Sequence, residues 1–596
     1  MTVKLRPQAA KILSLLATRP GELVSREELR EKVWGVETFV DFEHGLNLCI
    51  QQIRAALDDD ATTPRYIETL PRRGYRFVMP VADTHEIAAV RQSSAVKVPS
   101  RFRFVSWRAA IMLVSLVVMG TLLAVLDPGN WRERMLGSSG AVRTIAVLPL
   151  QNLSGDPAQD YFADGITEDV TTDLARIERL QVISRTSTMQ YKGAKKSLPT
   201  IARELGADAI VEGSVQRSGN SVRITAQLVR ASTDKHLWAQ TYERDLKDIL
   251  PLQDEVASAI AGEIESRLGG PKAMPLARAA TTAEAYETYL KANYYLDQFD
   301  LQKSIEYYNQ TIKLDPNYAP AYAHMARAYF FLAFFNSISP REGWGKVKEL
   351  ATLALQKDER LPEAHGALAL AKLHFDWDFA GAEQEFKRAI ELNPSDADIR
   401  HDYAHYLMAM GRVAESQTET RQAVELDPVG QGLNSCLCWH SFAARNYDQS
   451  VRLAKQFLLS QPEDPFEHTI LGWAYEQKGM SDQAISEFKS AVELTKGDSF
   501  YLAALGHAYA QAGRRNDAQQ VLRALFARAG KSYVSAFDVG LIYAALGERN
   551  NAFRWLDKAA SERSSFLVYS KWEPRLDPLR ADPRFKKLLD RIGLAA

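Results

Sequence analysis

Amide, imidazole and guanidinium side chains cluster in the first eighty residues, where their spacing suits contact with nucleic acid. One side of an amphipathic stretch presents His44, Asn47, Gln51, Gln52 and Arg54. Soon afterwards "TLPRRGYRFVMP", residues 69–80, places Arg72 and Arg73 at the tip of a predicted hairpin. Asn and Gln amides pair with adenine and Arg pairs with guanine, while a basic tip suits phosphate or minor-groove contact. Each pattern taken alone is more typical of a solvated surface. Whether these residues bind nucleic acid is therefore judged from the order of the predicted elements along the chain.

Three carboxylates form a second candidate site. Asp160, Asp164 and Glu168 are spaced four residues apart and would share one face of a helix. Such a face could hold a divalent ion, but acidic residues are also favoured near a helix N-terminus by the helix dipole. We favour the second interpretation and expect no metal site, no cofactor and no catalytic residue, because no nucleophile–base motif or phosphate-binding loop is present.

The cysteines indicate packing more than chemistry. Cys49, Cys436 and Cys438 are too few for a disulfide framework, and no Cys/His cluster has the spacing of a zinc site. Cys436 and Cys438 are two residues apart on a predicted helix, so they point to different faces and should not pair. A redox-sensing role for them stays open as the alternative.

The elements that would position the basic and amide residues run helix, helix, helix, hairpin. Pro7 suits the first turn of a helix that runs to about Thr18. Ser25 and Glu28 form a capping-box pattern that opens the second helix. In the third helix one buried stripe is predicted, made of Leu46, Ile50, Ile53 and Leu57.

This order resembles the winged-helix DNA-binding domain of the OmpR/PhoB-type transcriptional regulators. The resemblance covers "PGELVSREELREKVW", "LNLCIQQIRAAL" and "PRYIETLPRRGYRFV". It implies that the third helix enters the major groove and that the wing contacts the adjacent backbone or minor groove. The DNA-facing residues implied in this way are Asn47, Leu48, Gln51, Gln52 and Arg54 on the helix and Thr69, Arg72 and Arg73 on the wing.

Two features separate the segment from that family. Gln51 and Gln52 stand where the family usually has an arginine pair. The family's N-terminal antiparallel sheet has no counterpart in the six residues before the first helix. We therefore expect either a pared-down domain or a chain that begins inside the domain.

A single membrane span is predicted at residues 108–126. Ala109 to Leu126 is free of charge over eighteen residues, the minimum for a spanning helix. The preceding stretch, 88–108, carries five basic residues and no acidic one, which places the N-terminus in the cytoplasm by the positive-inside rule. We expect a bacterial inner-membrane protein whose C-terminal part lies outside the cytoplasm.

Residues 141–268 alternate strand and helix signals. Strands are predicted at 144–150 and 180–185, with a helix near 158–176 between them and a strand–turn–strand pattern around "QRSGNS". The stretch "VLPLQNLSGDPAQDYFADGITEDVTTDLA" resembles the small α/β domain of TolB and FlgO-like envelope proteins. That resemblance implies a ligand- or protein-binding module.

Residues 283–594 show a 34-residue period. Small residues recur at this step, at Ala404, Cys438, Gly472, Gly506 and Gly540. The pattern resembles the tetratricopeptide repeat, and about eight units with a C-terminal cap are expected. Such arrays bind peptides or partner proteins on a concave surface.

The predicted fold class is multidomain and mainly α: a winged helix-turn-helix at 1–80, a basic linker at 81–107, one transmembrane helix, a small α/β domain and an α-solenoid. The layout is similar to CadC- and ToxR-like membrane-integrated regulators. It predicts a non-enzymatic regulator that binds double-stranded promoter DNA as a homodimer and senses an external signal. The alternative is a membrane-anchored repeat scaffold with a degenerate DNA-binding domain.

Overall fold

The computed structural model divides the chain into two compact units, Met1–Trp131 and Arg132–Ala596. It describes residues 7–19, 21–33, 46, 49–50, 52–54, 57, 59, 64, 66–70, 74–78, 142–177, 180–268, 281–529 and 532–594. The predicted linker and the predicted span at 108–126 lie outside these residues. Among the described residues, no helix combines the length and the apolar composition that crossing a bilayer requires.

The N-terminal unit has helices α1 and α2, part of a third helix, and strands β1 to β3. Their bounds are Pro7–Ala17 (α1), Leu23–Ser25 (β1), Arg26–Val33 (α2), Ile67–Leu70 (β2) and Gly74–Phe77 (β3). Of the third helix the structure describes residues 46, 49–50, 52–54 and 57, and all of them are helical. The backbone N–H of Glu28 donates to the Ser25 hydroxyl at 3.1 Å, which confirms the predicted cap of α2. Of the predicted stripe, Leu46, Ile50 and Ile53 are buried, and Leu57 is half-buried against the same core.

A short strand that the sequence analysis missed completes the sheet. β1 pairs antiparallel with β3, which in turn pairs with β2, so the strand order is β1-β3-β2. Gly74 has a φ of 151°, and a Cβ atom there would lie 2.1 Å from the carbonyl oxygen of Val24. Only glycine allows β1 and β3 to approach so closely, which fixes the start of the strand that follows the wing turn.

The α/β domain contains six strands and four helices. They are Thr144–Val147 (β4), Gln151–Asn152 (β5), Asp160–Ala175 (α3), Gln181–Val182 (β6), Arg185–Met189 (α4), Leu198–Leu205 (α5), Ala209–Ser218 (β7), Ser221–Arg230 (β8), Lys235–Asp245 (β9) and Ile249–Leu268 (α6). The sheet order is β6-β4-β7-β8-β9, with β5 also on β7; β6, β4 and β7 are parallel, and β8 and β9 are antiparallel additions. The predicted strands and helix of this region are therefore present.

Helices cover both faces of this sheet. Ile145 and Val147 on β4 pack with the α3 side chains in one apolar cluster. Ala146, between them, packs with α5 in another cluster. This alternation along β4 is the two-residue period of a strand buried on both faces.

The repeat array consists of eight helix pairs in the described chain, the number that the sequence predicts. They are Ala283–Asp297 (α7), Leu301–Leu314 (α8), Ala319–Phe334 (α9), Pro340–Lys357 (α10), Pro362–Ala371 (α11), Phe379–Leu392 (α12), Ala397–Ala409 (α13), Val413–Leu426 (α14), Gln431–Ala443 (α15), Tyr447–Ser460 (α16), Pro465–Gln477 (α17), Ser481–Leu494 (α18), Ser499–Gln511 (α19), Arg515–Arg528 (α20), Ala536–Ala545 (α21) and Arg549–Glu562 (α22). The second repeat has long helices, with 16 residues in α9 and 18 in α10.

The C-terminal segment continues with 3-10 helices at Ser565–Tyr569 and Pro574–Leu579 and a last helix, Pro583–Arg591 (α23). It folds back into the array. Phe566 contacts Phe334 of the second repeat at a ring distance of 5.1 Å and Phe500 of the seventh at 5.8 Å. Tyr569 lies 5.2 Å from Trp439 of the fifth repeat. Because these partners all lie on first helices of their repeats, the segment occupies the inside of the array's curve.

Candidate functional site

The third helix of the N-terminal unit is tied to the wing by Arg54. Its Nη2 atom donates to the carbonyl oxygen of Ile67 at 2.9 Å and to the Thr69 hydroxyl at 2.8 Å. Both acceptors lie on β2, so this side chain sets the angle between the helix and the hairpin. In the described structure Arg54 and Thr69 therefore position the wing, a role that the sequence analysis did not assign to them.

Of the remaining predicted DNA-contacting residues, the structure describes only Gln52. Gln52 is half-buried on the third helix. His44, Asn47, Leu48, Gln51, Arg72 and Arg73 lie outside the described residues. Their assignment to DNA stays a prediction.

Two arginines of this unit, one on β3 and one at the start of α2, already have partners. Arg76 on β3 forms an ion pair with Glu68 on β2, with 2.5 Å between Nη2 and Oε2. Arg26 lies over the Tyr75 ring at 5.3 Å. Both arginines are therefore engaged within the unit itself.

In the second unit, the α/β domain is docked on the repeat array by polar side chains. Tyr161 donates to Glu287 at 2.7 Å, and Arg185 pairs with Asp297 at 2.7 Å. Ser187 donates to Asp427 at 2.6 Å. These contacts reach the first and fourth repeats, so the domain bridges several repeats.

The three predicted metal-ligand carboxylates belong to this docking surface. The Lys192 ammonium contacts Asp164 at 2.8 Å and Asp160 at 3.2 Å. Glu168 accepts a hydrogen bond from Asn293 at 3.2 Å. Lys192 and Asn293 are thus partners of these carboxylates, and Asp164 is buried among them.

A polar cavity of 270 Å³ lies between the α/β domain and the array. Arg327 lines it and donates to Asp402, another lining residue, at 2.6 Å. Burial raises the pKa of Asp402 to about 6, against the effect of Arg327. Burial together with the charge of Asp398 raises the pKa of Asp396, another lining residue, to about 7. The cavity therefore holds carboxyl groups that are partly protonated near neutral pH.

A larger cavity of 770 Å³ lies beside it, inside the array, and shares Arg327 and Asp402 with it. Its walls are aromatic, from residues such as Phe330, Trp439 and Phe566. The lining also includes three imidazoles and a thiol, those of His374, His401, His405 and Cys436. Burial lowers the pKa of His374 to about 4 and that of His401 to about 3, so both imidazoles are neutral.

The sequence analysis predicted neither cavity. His401 and His405 stand at i and i+4, but the sequence analysis recognised no zinc-ligand spacing around them. The third neighbour, Cys436, is 31 residues beyond His405. The 34-residue period was the available signal, since it places successive first helices side by side. The prediction that Cys436 and Cys438 do not pair is confirmed, because both are free.

Comparison with known proteins agrees with this architecture. The family model "Transcriptional regulatory protein, C terminal" matches residues 1–77, and tetratricopeptide repeat models match 289–318, 378–432 and 468–498. The chain is thus a mainly helical, multidomain protein with an N-terminal winged-helix domain and tetratricopeptide-like repeats.

Several curated proteins are similar to parts of the chain. "Putative adenylate cyclase 3" of Rhizobium meliloti is 38% identical over 234 residues, which are 38% of this chain and 40% of that protein. Transcriptional regulator HilA of Salmonella typhimurium is 23% identical over 78% of this chain and 73% of its own length. Transcriptional activator CadC of Escherichia coli is 36% identical over 13% of this chain and 15% of its own length. The chain therefore spans less than half of the first relative and most of the second.

Proposed function

We propose that this chain is a membrane-bound one-component transcriptional regulator. Its winged helix binds double-stranded promoter DNA, and the α/β domain and repeat array respond to a signal outside the cytoplasm. The observation that carries the proposal is the Arg54 link between the third helix and β2, because it holds a helix and a wing in the arrangement that a winged helix uses on DNA. The match of residues 1–77 to the regulatory family and the likeness to HilA support it.

The ligand-responsive surface is proposed to be the pair of cavities, with the array's outer face left for protein partners. The inside of the array's curve is occupied by the chain's own segment at 565–579, so a peptide bound there would have to displace it. The first cavity lies beside the ion pair of Arg185 with Asp297, which joins the α/β domain to the array together with apolar packing between α3 and α7.

We propose a regulatory role and no catalytic one. The relative named as a putative adenylate cyclase is matched over only 38% of this chain and 40% of its own length. The same proposal includes homodimerisation on DNA and a membrane anchor at 108–126. Two winged helices held together in a dimer would bind DNA more tightly than one, because linkage raises their effective concentration.

The direct test is DNA binding by the full-length chain in a salt series. The ligands are promoter-region fragments from the genome that encodes it. Wild type should bind with a log–log salt slope near −0.9 per phosphate contact. The double variant Arg72→Ala/Arg73→Ala should lose about two units of that slope. The control Lys586→Ala/Lys587→Ala removes the same charge from exposed positions on α23 and should match wild type.

Two results would separate the alternatives. Absence of salt-dependent binding by wild type would favour the membrane-anchored repeat scaffold with a degenerate DNA-binding domain. A reporter fused after Ala596 that reads as cytoplasmic would overturn the external location of the sensing unit and leave DNA binding untouched.

A further inference from the structure

Three ligand-type atoms converge at the wall of the larger cavity. They are Nε2 of His401, Nε2 of His405 and Sγ of Cys436, and all lie within 4.8 Å of one another. The sulfur is 2.5 Å from His401 and 3.2 Å from His405, and the two nitrogens are 2.9 Å apart. This is the single such cluster of three or more His, Cys, Asp and Glu groups among the described residues.

Helix geometry produces the convergence. His401 and His405 are four residues apart on α13, so they lie on one face of that helix. Cys436 lies on α15, the first helix of the next repeat. Tetratricopeptide packing places these two first helices next to each other, and the cluster therefore needs no irregular backbone.

Hydrogen bonds cannot account for all three contacts of this triangle at once. Each imidazole nitrogen carries either one N–H or one lone pair in the ring plane, so it serves one partner. Both Nε2 atoms nevertheless touch two polar partners each. In addition, Nδ1 of His405 and Nε2 of neighbouring His440 are buried and have no hydrogen-bond partner. A single cation at the centre would be a partner common to all three ligand atoms.

The ligand set selects the kind of cation. Thiolate and imidazole together suit Zn²⁺ and Cu⁺, which accept soft and borderline ligands. We propose that His401, His405 and Cys436 form a binding site for a closed-shell d¹⁰ metal ion, Zn²⁺ or Cu⁺, with its remaining coordination position open to the cavity. The proposal goes beyond DNA-linked regulation and does not depend on it.

The geometry requires a small expansion on binding. Around a tetrahedral zinc ion with bonds of about 2.0 and 2.3 Å, the two nitrogens would be roughly 3.3 Å apart and each nitrogen roughly 3.6 Å from the sulfur. The present separations are shorter by a few tenths of an ångström to about one. Side chains that already face a cavity of 770 Å³ have the space to move outward.

The test is metal binding by the full-length chain, stripped with a chelator under reducing conditions. Zn²⁺ and Cu⁺ are dialysed against it in separate arms, and the bound metal is counted. Wild type should retain one more equivalent of at least one of the two ions than Cys436→Ala does. The matched control Cys438→Ala, two residues away on the same helix and buried, should behave as wild type.

His405→Gln is the second variant, because it keeps a polar side chain and does not touch the cysteine. Loss of outer-shell partners costs 10- to 100-fold in metal affinity, so loss of a ligand should weaken binding by more than about 100-fold. Co²⁺ is the spectroscopic probe: a thiolate-to-cobalt charge-transfer band should appear in wild type and in Cys438→Ala and be absent from Cys436→Ala.

Three results would overturn the site. They are equal metal content in wild type and Cys436→Ala for both ions, an equal loss in Cys438→Ala, and unchanged affinity in His405→Gln. Thermal unfolding of each metal-free variant is recorded beside binding. A variant that is unfolded without metal is set aside, and the decision then falls to the other ligand variant.

Discussion

The two compact units bury different kinds of side chain. In the described part of residues 7–78 the buried side chains are apolar, apart from Cys49 and the Tyr75 ring. In the unit that begins at Arg132, carboxylates, imidazoles and a guanidinium are buried, among them Asp402, His440 and Arg575. An apolar core is stable across a range of solution conditions, whereas buried ionisable groups couple the free energy of folding to protons and ions. Folding of the larger unit should therefore depend on pH and ions more strongly than folding of the N-terminal unit.

The largest expected effect comes from cutting a buried ion pair. Arg575 donates two hydrogen bonds to Glu573, at 2.8 and 2.9 Å, and their side chains are 5% and 4% exposed. Arg575→Leu leaves the Glu573 carboxylate buried without its cation, so the free energy of unfolding should fall by about 3–5 kcal/mol in urea titrations. Arg445→Leu breaks the exposed pair with Asp577 and should cost about 1 kcal/mol or less. Equal losses would contradict the view that burial makes the pair important.

The next effect concerns repeat packing. At Gly472 an added Cβ would lie 2.7 Å from the Phe488 ring. Gly472→Val should therefore destabilise the array by about 1–3 kcal/mol through overpacking, measured by the urea midpoint. Gly345 is helical with open space around it, and Gly345→Ala should stabilise by up to about 1 kcal/mol. A loss at both positions would show that these helices tolerate no added side chain anywhere.

The third effect is a pH dependence centred on Asp396. Its raised pKa, about 7, means that the folded state binds a proton that the unfolded state releases near pH 4. Stability should therefore fall as pH rises from about 4 to 7, by at most about 1.4 kcal/mol per pH unit for this group. Asp396→Asn should flatten that slope, because it removes the titrating carboxyl group. The amide oxygen can still cap α13 by accepting from the backbone N–H of Ile399.

The control for this variant is Asp464→Asn, which changes the corresponding cap of α17, where Asp464 accepts from Glu467. Unfolding free energies are compared at pH 5 and pH 7.5. If both variants alter the slope equally, capping and not the protonation of Asp396 is the cause.

The smallest effect tests the N-terminal unit. Thr69→Val removes one of the two acceptors of Arg54, and the unit should lose about 0.5–1.5 kcal/mol, followed by hydrogen exchange of the β2 and β3 amides. Thr18→Val, at an exposed hydroxyl that donates to Leu15, should stay within about 0.5 kcal/mol of wild type. A pH-dependent loss at Thr69 would weaken the contrast between the two units.

Local patterns predicted most of the elements. The stripe through Ile50 and Ile53 follows from the 3.6-residue period of a helix, and the repeats follow from the 34-residue period. The cap of α2 follows from Ser25 and Glu28, which are close in sequence. The short β1 was missed because three residues give too little alternation to identify a strand. Arg54 was assigned to DNA because its sequence position matches a family pattern, whereas its partners on β2 are known only once the hairpin is folded against the helix.

The cavities and the His401–His405–Cys436 cluster were not predictable from local patterns. They depend on which helices become neighbours and on where the chain returns after the last repeat. Burial of Phe566 and Tyr569 inside the array was equally hidden, since an apolar run near a C-terminus is also typical of a capping helix.

The returning segment has a consequence for how the protein is made. The Ser565 hydroxyl donates to the carbonyl oxygen of Ala333, 232 residues earlier. At about 5–20 residues per second, a ribosome needs roughly 10–50 s to synthesise the chain between these two residues. During that interval the aromatic wall of the early repeats has no covering segment. A nascent chain must therefore keep this surface from aggregating until its last residues emerge, and a truncated product would expose it permanently.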